Sequence, residues 1–320
     1  MFVRVCTFIV KEVLNMSFST ECEMEKQNVR SFKGLLTELK FLTKGKVLIA
    51  NVFPIVATFF IALSFSSVTF LEVWDSFIYM IIGSTLVVAG ALIFNNWYEV
   101  DLDVKMERTQ QRPTVTGNLS MSTVLMLGVL ATIIGHAILF FTSLEAFAYA
   151  FIGWFTYVVL YTFWTKRRYT LNTVIGSLSG AVTPLIGWAV IDPAYHIVPI
   201  VLFILLFLWQ IPHTFAIAMR RHDDYKAAGV PMLPVVYGFD MTKRQNAVYV
   251  ACLLPLPFFL ISLGTPFVII TTILNVIWLV YSIRGVFRND DKKYADTVFF
   301  YPLFYMWIVF GMMLVVPMFA

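Results

Sequence analysis

The sequence predicts an all-α polytopic membrane protein, a nine-helix transmembrane bundle with a functional cavity that faces the cytoplasm. Of its 320 residues 59% are hydrophobic and only 13% charged, with a mean hydropathy of +0.81, outside the range of soluble globular chains. Apolar runs long enough to cross a hydrocarbon core, about 20 residues each, recur at 47–66, 76–94, 122–141, 146–164, 173–191, 197–218, 247–263, 266–284 and 298–318. All 23 Lys and Arg fall before the first run or in alternate loops.

Residues 1–45 read as a cytoplasmic tail. The stretch from Val5 to Val10 is interrupted by Lys11 and Glu12 and carries no small-residue cleavage site, which argues against a cleaved signal peptide. Residues 31–46, with Leu35, Leu36, Leu39, Phe41 and Leu42 among lysines, suit a helix lying flat in the interface.

Residues 46–320 form the transmembrane domain. Its even-numbered connections carry the remaining basic residues: Lys105, Arg108 and Arg112; Lys166, Arg167 and Arg168; Arg220 to Arg244; and Arg284 to Lys293. The alternate loops carry acid only, at Glu72, Asp75, Glu145 and Asp192. Lys and Arg are retained on the cytoplasmic side during insertion, so the N-terminus is expected inside and, with nine spans, the C-terminus outside. The net charge of +4 then follows from topology and predicts no nucleic-acid partner. Cys6, Cys22 and Cys252 lack paired spacing and suggest neither a disulfide framework nor a thiolate metal site.

Polar residues near membrane depth are costly and mark function. The richest cluster follows the second run, from Asn95 to Pro113. If the helix continues through it, a four-residue repeat puts Asn95, Glu99 and Asp103 on one stripe, while Asp101, Lys105, Arg108 and Arg112 gather on a roughly opposite face. Carboxylate and amide oxygens in line suit a hard divalent cation that keeps positions for water and phosphate. A solvated helix end decorated with charge pairs suits the same residues.

A second cluster holds Tyr157, Tyr161, Lys166, Arg167 and Arg168, followed by Gly176, Gly180 and Pro184. Its basic residues suit a diphosphate and equally suit topology alone; the small-xxx-small pair reads as helix packing. A third runs from Trp209, Gln210, Pro212 and His213 through Arg221, Asp223 and Asp224 to Pro234, with Gln210 and His213 expected to face one cavity. His136 and His196 have no ionisable company and read as structural.

The pattern Asn95-x3-Glu99-x3-Asp103, with a second polar loop four spans later, resembles the UbiA-type intramembrane prenyltransferases, and within them the protohaem IX farnesyltransferase (haem O synthase) family. The resemblance runs from about residue 42 to the last span. Its motifs include Asp101-Leu102-Asp103-x2-Met106-Glu107-Arg108-Thr109-x2-Arg112-Pro113, Thr183-Pro184-Leu185-Ile186-Gly187-Trp188, Trp209-Gln210-x-Pro212-His213 and Asp224-Tyr225-x2-Ala228-Gly229-Val230-Pro231. Two departures stand out. Glu99 occupies a position where superfamily members usually carry Asp, and the second aspartate-rich motif is replaced by Pro212-His213 and Arg221 with only Asp223 and Asp224 acidic, which favours a haem acceptor over an aromatic acid.

The resemblance implies farnesyl diphosphate and haem b as substrates, with Mg²⁺ held by Asn95, Glu99 and Asp103. It implies leaving-group neutralisation by Arg108, Arg112, Lys166 and Arg167, cation–π shelter from Tyr98, Tyr161 or Trp209, and haem contacts from Gln210, His213 and Arg221, with Asp224 among the substrate-binding residues. The loops 104–118 and 220–240 are expected to act as lids. A downstream enzyme that oxidises haem O would be a partner. Prenyl transfer to a quinone precursor or chlorophyll-like ring, a transporter, and a haem-storing oxidase helper are the competing readings; transport needs polar lining that reaches both membrane faces, which the outer helix halves lack.

Overall fold

In the computed structural model, residues 32–288 and 290–315 are described; the tail up to residue 31, with Cys6 and Cys22, lies outside them. A short helix α1 (Phe32–Leu42) precedes the first long one, α2 (Gly45–Phe65). Next come α3 (Trp74–Tyr98), α4 (Met121–Thr142) and α5 (Leu144–Phe155), which continues without a break as a π-helix over Thr156–Thr165. Two short helices follow, α6 (Asn172–Ala181) and α7 (Thr183–Trp188), then α8 (Ile197–Arg220) and the single-turn α9 (His222–Ala227). The chain closes with α10 (Leu233–Ala251), a 3-10 stretch Leu256–Leu263, α11 (Thr265–Val286) and α12 (Asp291–Val315).

The protein is multi-pass. Among the described residues, eight helical segments are long and apolar enough to cross a bilayer, where the sequence predicts nine spans. The difference is the fifth run, 173–191, which breaks between α6 and α7 at Val182, two residues before Pro184. Proline lacks the amide N–H that continues the ladder and its ring crowds the preceding turn. Every residue of α7 is buried, and such interrupted backbone is tolerated at membrane depth only when protein surrounds it. It lies against α2 and α5, so closely that a Cβ on Gly187 would run into the Ile55 carbonyl.

Many large apolar side chains face outward, among them Leu71, Phe141, Ile133, Phe259 and Ile261, as expected where lipid is the solvent. The interior is also apolar: Trp188, Phe59, Leu202, Leu205, Trp278 and Tyr305 form one continuous cluster linking α2, α7, α8, α11 and α12. The two lone histidines are engaged in local packing. His196 accepts the Val198 N–H at the start of α8 and stacks on Trp188, 4.9 Å between ring centroids. His136 is bonded through Nδ1 to the Thr132 carbonyl, 2.8 Å, among Phe147, Phe151 and Trp154.

Candidate active site

Helix α3 ends at Tyr98, and Glu99 (φ −100°, ψ 13°) links it to one further turn, Val100–Asp103. The i→i−4 bonds survive the junction: Glu99 N–H donates to the Asn95 carbonyl (3.1 Å) and Asp103 N–H to that of Glu99 (2.8 Å). Asn95, Glu99 and Asp103 therefore stay on one stripe, 1, 2 and 1% exposed.

Each of the three meets a cation from elsewhere. Lys166 Nζ donates to Glu99 Oε2 at 2.5 Å, Arg112 to Asp103 Oδ2, and Lys44 to Asn95 Oδ1. The predicted segregation of Arg112 onto the opposite face is thus corrected. The helix stops after Asp103, the chain turns through Glu107–Thr109, with Thr109 Oγ1 donating to the Asp103 carbonyl (2.7 Å), and Arg112 returns on the acidic side. A helical wheel cannot represent a chain that has left the helix.

Burial pushes the Glu99 carboxyl up, but Lys166, Lys44 and Arg112 outweigh it and hold the group below the ordinary carboxylate value. Burial acts to lower the Lys166 pKa, and Glu99 with Tyr225 reverses it to above the ordinary lysine value. Lys44 differs: burial first, then Arg112, holds it well below that value, against the pull of Glu99 and Asp103.

The π-helix positions Lys166. Its N–H bonds the Tyr161 carbonyl, 2.9 Å and five residues back, so both side chains leave one face; in an α-helix a five-residue step would set them about 140° apart. The ammonium lies 5.4 Å from the Tyr161 ring centroid, and Tyr157 is 5.4 Å from Tyr161. Thr162 on the same segment accepts from Asn95 Nδ2 at 3.1 Å.

Behind these rings lies a 220 Å³ cavity, lined by Ala91, Trp154, Tyr157, Tyr161, Ile186 and Gln210 among others. Gly176 and Gly180 make room for it. A Cβ on Gly176 would stand 3.0 Å from the Tyr161 ring, and one on Gly180 2.8 Å from Gln210 Nε2.

The remaining predicted residues are distributed elsewhere. Gln210 lines the cavity, but the expectation that His213 shares it is not met. Trp209 donates to the Pro302 carbonyl at 2.9 Å, and His213 is sandwiched between Trp209 and Phe299 at 5.2 and 5.4 Å, against α12. Arg167 holds Asp101 with two bonds of 2.7 and 2.8 Å, donates to the Tyr98 carbonyl and covers the Tyr98 ring, tying the end of α5 to that of α3. Arg108 is exposed. Arg221 and Asp224, 4.0 Å apart, line a separate polar groove of 710 Å³ with Arg220, His222 and Asp291. The two loops nonetheless meet, since Leu102 and Met106 pack with Ala228, Val230 and Met232. Lys44 is the residue sequence reasoning missed. It stands among the basic residues ahead of the first apolar run, which the sequence assigns to topology, and nothing local marks it as different.

The donor set suits a divalent cation. Glu99 Oε1 is buried with no hydrogen-bond partner, beside a second carboxylate and an amide oxygen on successive turns. Two carboxylates and an amide would leave coordination positions for phosphate oxygens and water, the usual arrangement for Mg²⁺; among the described residues no three acid, His or Cys side chains converge.

The UbiA prenyltransferase family profile matches residues 51–309. Similar chains include the protohaem IX farnesyltransferase of Oceanobacillus iheyensis, 53% identical over 92% of this chain and 93% of the relative, and that of Geobacillus kaustophilus, 48% identical over 89 and 92%. Among solved structures, a digeranylgeranylglyceryl phosphate synthase shares the fold with a TM-score of 0.72 at 18% identity, over 89% of this chain and 99% of that one. A UbiA homologue from Archaeoglobus fulgidus bound to GPP and Mg²⁺ does so with 0.61 at 11% identity, over 86 and 99%. With a buried acid–amide stripe joined through Lys166 to the Tyr161 ring of a cavity wall, this chain is a prenyl-transferring membrane enzyme and belongs to the UbiA prenyltransferase family.

Proposed function

We propose that the chain transfers the farnesyl group of farnesyl diphosphate to a vinyl group of haem b, with addition of water, giving haem O and diphosphate. The observation that carries this reading is the convergence of Asn95, Glu99 and Asp103 with Lys166 and Arg112 beside the Tyr161 ring and the cavity behind it. Relatives about half identical over nine-tenths of the chain supply the acceptor.

Asn95, Glu99 and Asp103 would hold a divalent cation, Mg²⁺ by family precedent, which supplies positive charge for the departing diphosphate. Lys166 and Arg112, already aimed at this stripe, neutralise the same leaving group, with the exposed Arg108 at its outer side. The isoprenoid chain lies in the cavity, out of water, with its first carbon near the Tyr161 ring. As the carbon–oxygen bond breaks, its electron pair leaves with the diphosphate, and the faces of Tyr161 and Tyr157 stabilise the allylic cation. The vinyl group of the haem then bonds to that carbon. Water adds to the cationic vinyl carbon and a proton is released.

His213 Nδ1 is buried without a partner and offers the haem a ring nitrogen from the α8–α12 face. Arg221 pairs with a propionate, and Asp224, whose Oδ2 is likewise buried without a hydrogen bond, orients Arg221. The loops 104–118 and 220–240, packed on each other, close the site. The distribution of Lys and Arg supports an orientation in a cell membrane with this site and the N-terminus on the cytoplasmic side.

The test is mass analysis of haem extracted after incubating purified protein with farnesyl diphosphate and Mg²⁺. A gain equal to farnesyl plus water is expected. Unchanged haem, with transfer to hydroxybenzoate or naphthoate instead, would overturn the acceptor.

A further inference from the structure

Lys44 is the hinge between α1 and α2, and its backbone is left-handed (φ 47°, ψ 55°). Among the described residues no other non-glycine has a positive φ. Side chains other than Gly, Asn and Asp avoid that region, and where they adopt it at a functional site the surrounding structure enforces it. Here adjacent asparagines do the enforcing. Asn96 Nδ2 donates to the Leu42 carbonyl, Leu42 is sealed among Ile93, Val124 and Trp97, and Asn95 Oδ1 accepts the Lys44 ammonium. The hinge is clamped so that one cation reaches the stripe read above as the metal site.

The three cations on that stripe are not equivalent. Lys166 and Arg112 each neutralise a carboxylate. Lys44 rests on a neutral amide oxygen, so of the three it alone has no carboxylate as its direct partner. A bare divalent cation entering here must displace Lys44 and sit beside all three positive charges. The same cation carried on a diphosphate arrives with net negative charge, and the freed ammonium gains phosphate oxygens as new partners.

We propose that Lys44 occupies the divalent-cation position of the empty enzyme, so that the metal enters only together with a diphosphate, onto which the Lys44 ammonium transfers. This rests on the assignment of Asn95, Glu99 and Asp103 as metal-binding. The Leu42–Asn96 clamp keeps the hinge in place during the exchange, and only the side chain moves.

Mn²⁺ binding to detergent-purified protein, read by electron paramagnetic resonance with and without inorganic pyrophosphate, tests it without turnover. Wild type should bind free Mn²⁺ weakly and bind it much more tightly once pyrophosphate is added. Lys44→Met should bind free Mn²⁺ about tenfold more tightly or better, with a smaller gain from pyrophosphate. Lys44→Gly removes the ammonium at a φ that suits glycine and should behave alike, which guards against a folding defect. Lys46→Met, which removes an exposed charge from the same turn, should match wild type. Equal free-Mn²⁺ affinity in wild type and both Lys44 variants would overturn the proposal and leave the metal assignment standing. Failure of wild type to bind Mn²⁺ even with pyrophosphate would overturn both.

Discussion

Lys166 and Glu99, 67 residues apart in the chain, meet at 2.5 Å in a pair almost wholly withdrawn from solvent. Each is the other's direct hydrogen-bonded partner. Glu99→Ala leaves Lys166 without its counter-ion, and Lys166→Met does the converse. Each should cost about 3–5 kcal/mol of stability and lower turnover by about a hundredfold or more. Thermal unfolding in detergent and the rate of diphosphate release measure the two effects. Near-normal transfer by Glu99→Ala would remove Glu99 from the machinery.

The same pair sets a pH dependence. Burial raises the Glu99 pKa, but Lys166, Lys44 and Arg112 bring the folded value below the ordinary one. A depressed folded pKa gives stability that is complete above the unfolded value, about 4.3, and is lost as pH falls through the folded value. The difference in Tm between wild type and Glu99→Gln should therefore be constant above about pH 5.5 and shrink below about pH 4.3.

Two crowded glycines should respond differently. A Cβ at Gly180 meets the end of the Gln210 side chain, which can swing away into the cavity. Gly180→Ala should keep its stability within about 1 kcal/mol of wild type, read as a nearly unchanged Tm, and raise the KM for farnesyl diphosphate. A Cβ at Gly187 meets the Ile55 backbone carbonyl, which cannot move without α2. Gly187→Ala should lose about 3 kcal/mol or more, seen as a fall in Tm or in folded yield.

His213 lies between two aromatic planes, so His213→Phe keeps the stack of Trp209, residue 213 and Phe299 and removes only the ring nitrogens. The fold should hold. If those nitrogens serve the haem, the KM for haem rises several-fold while that for farnesyl diphosphate is unchanged; equal KM values for haem would assign His213 to packing.

Arg167 is expected to act through position. Arg167→Lys keeps the charge but loses the two-pronged grip on Asp101 and the bond to Tyr98. Both side chains of this pair are partly exposed, so the stability cost should stay near 1 kcal/mol. Turnover should fall by less than in Lys166→Met, measured side by side.

Local patterns were legible without the fold. Apolar runs of membrane-crossing length follow from composition, and eight of the nine predicted at 47–318 coincide with the long helical segments up to residue 315, the last three positions of the final run lying outside the described residues. The stripe of Asn95, Glu99 and Asp103 follows from a four-residue repeat whose hydrogen bonds bridge the break at Glu99. Tertiary structure decided the rest, because each outcome depends on groups far apart in sequence. It placed Arg112 on Asp103, Lys166 on Glu99 and Lys44 on Asn95. The i→i+5 wind of Thr156–Thr165, which no residue pattern announces, brought Tyr161 and Lys166 to one face. Packing against α12 turned His213 from the cavity that Gln210 lines. Helix periodicity is a property of neighbouring residues and can be read along a chain; which cation neutralises which buried acid depends on how helices pack, and buried charges admit few partners.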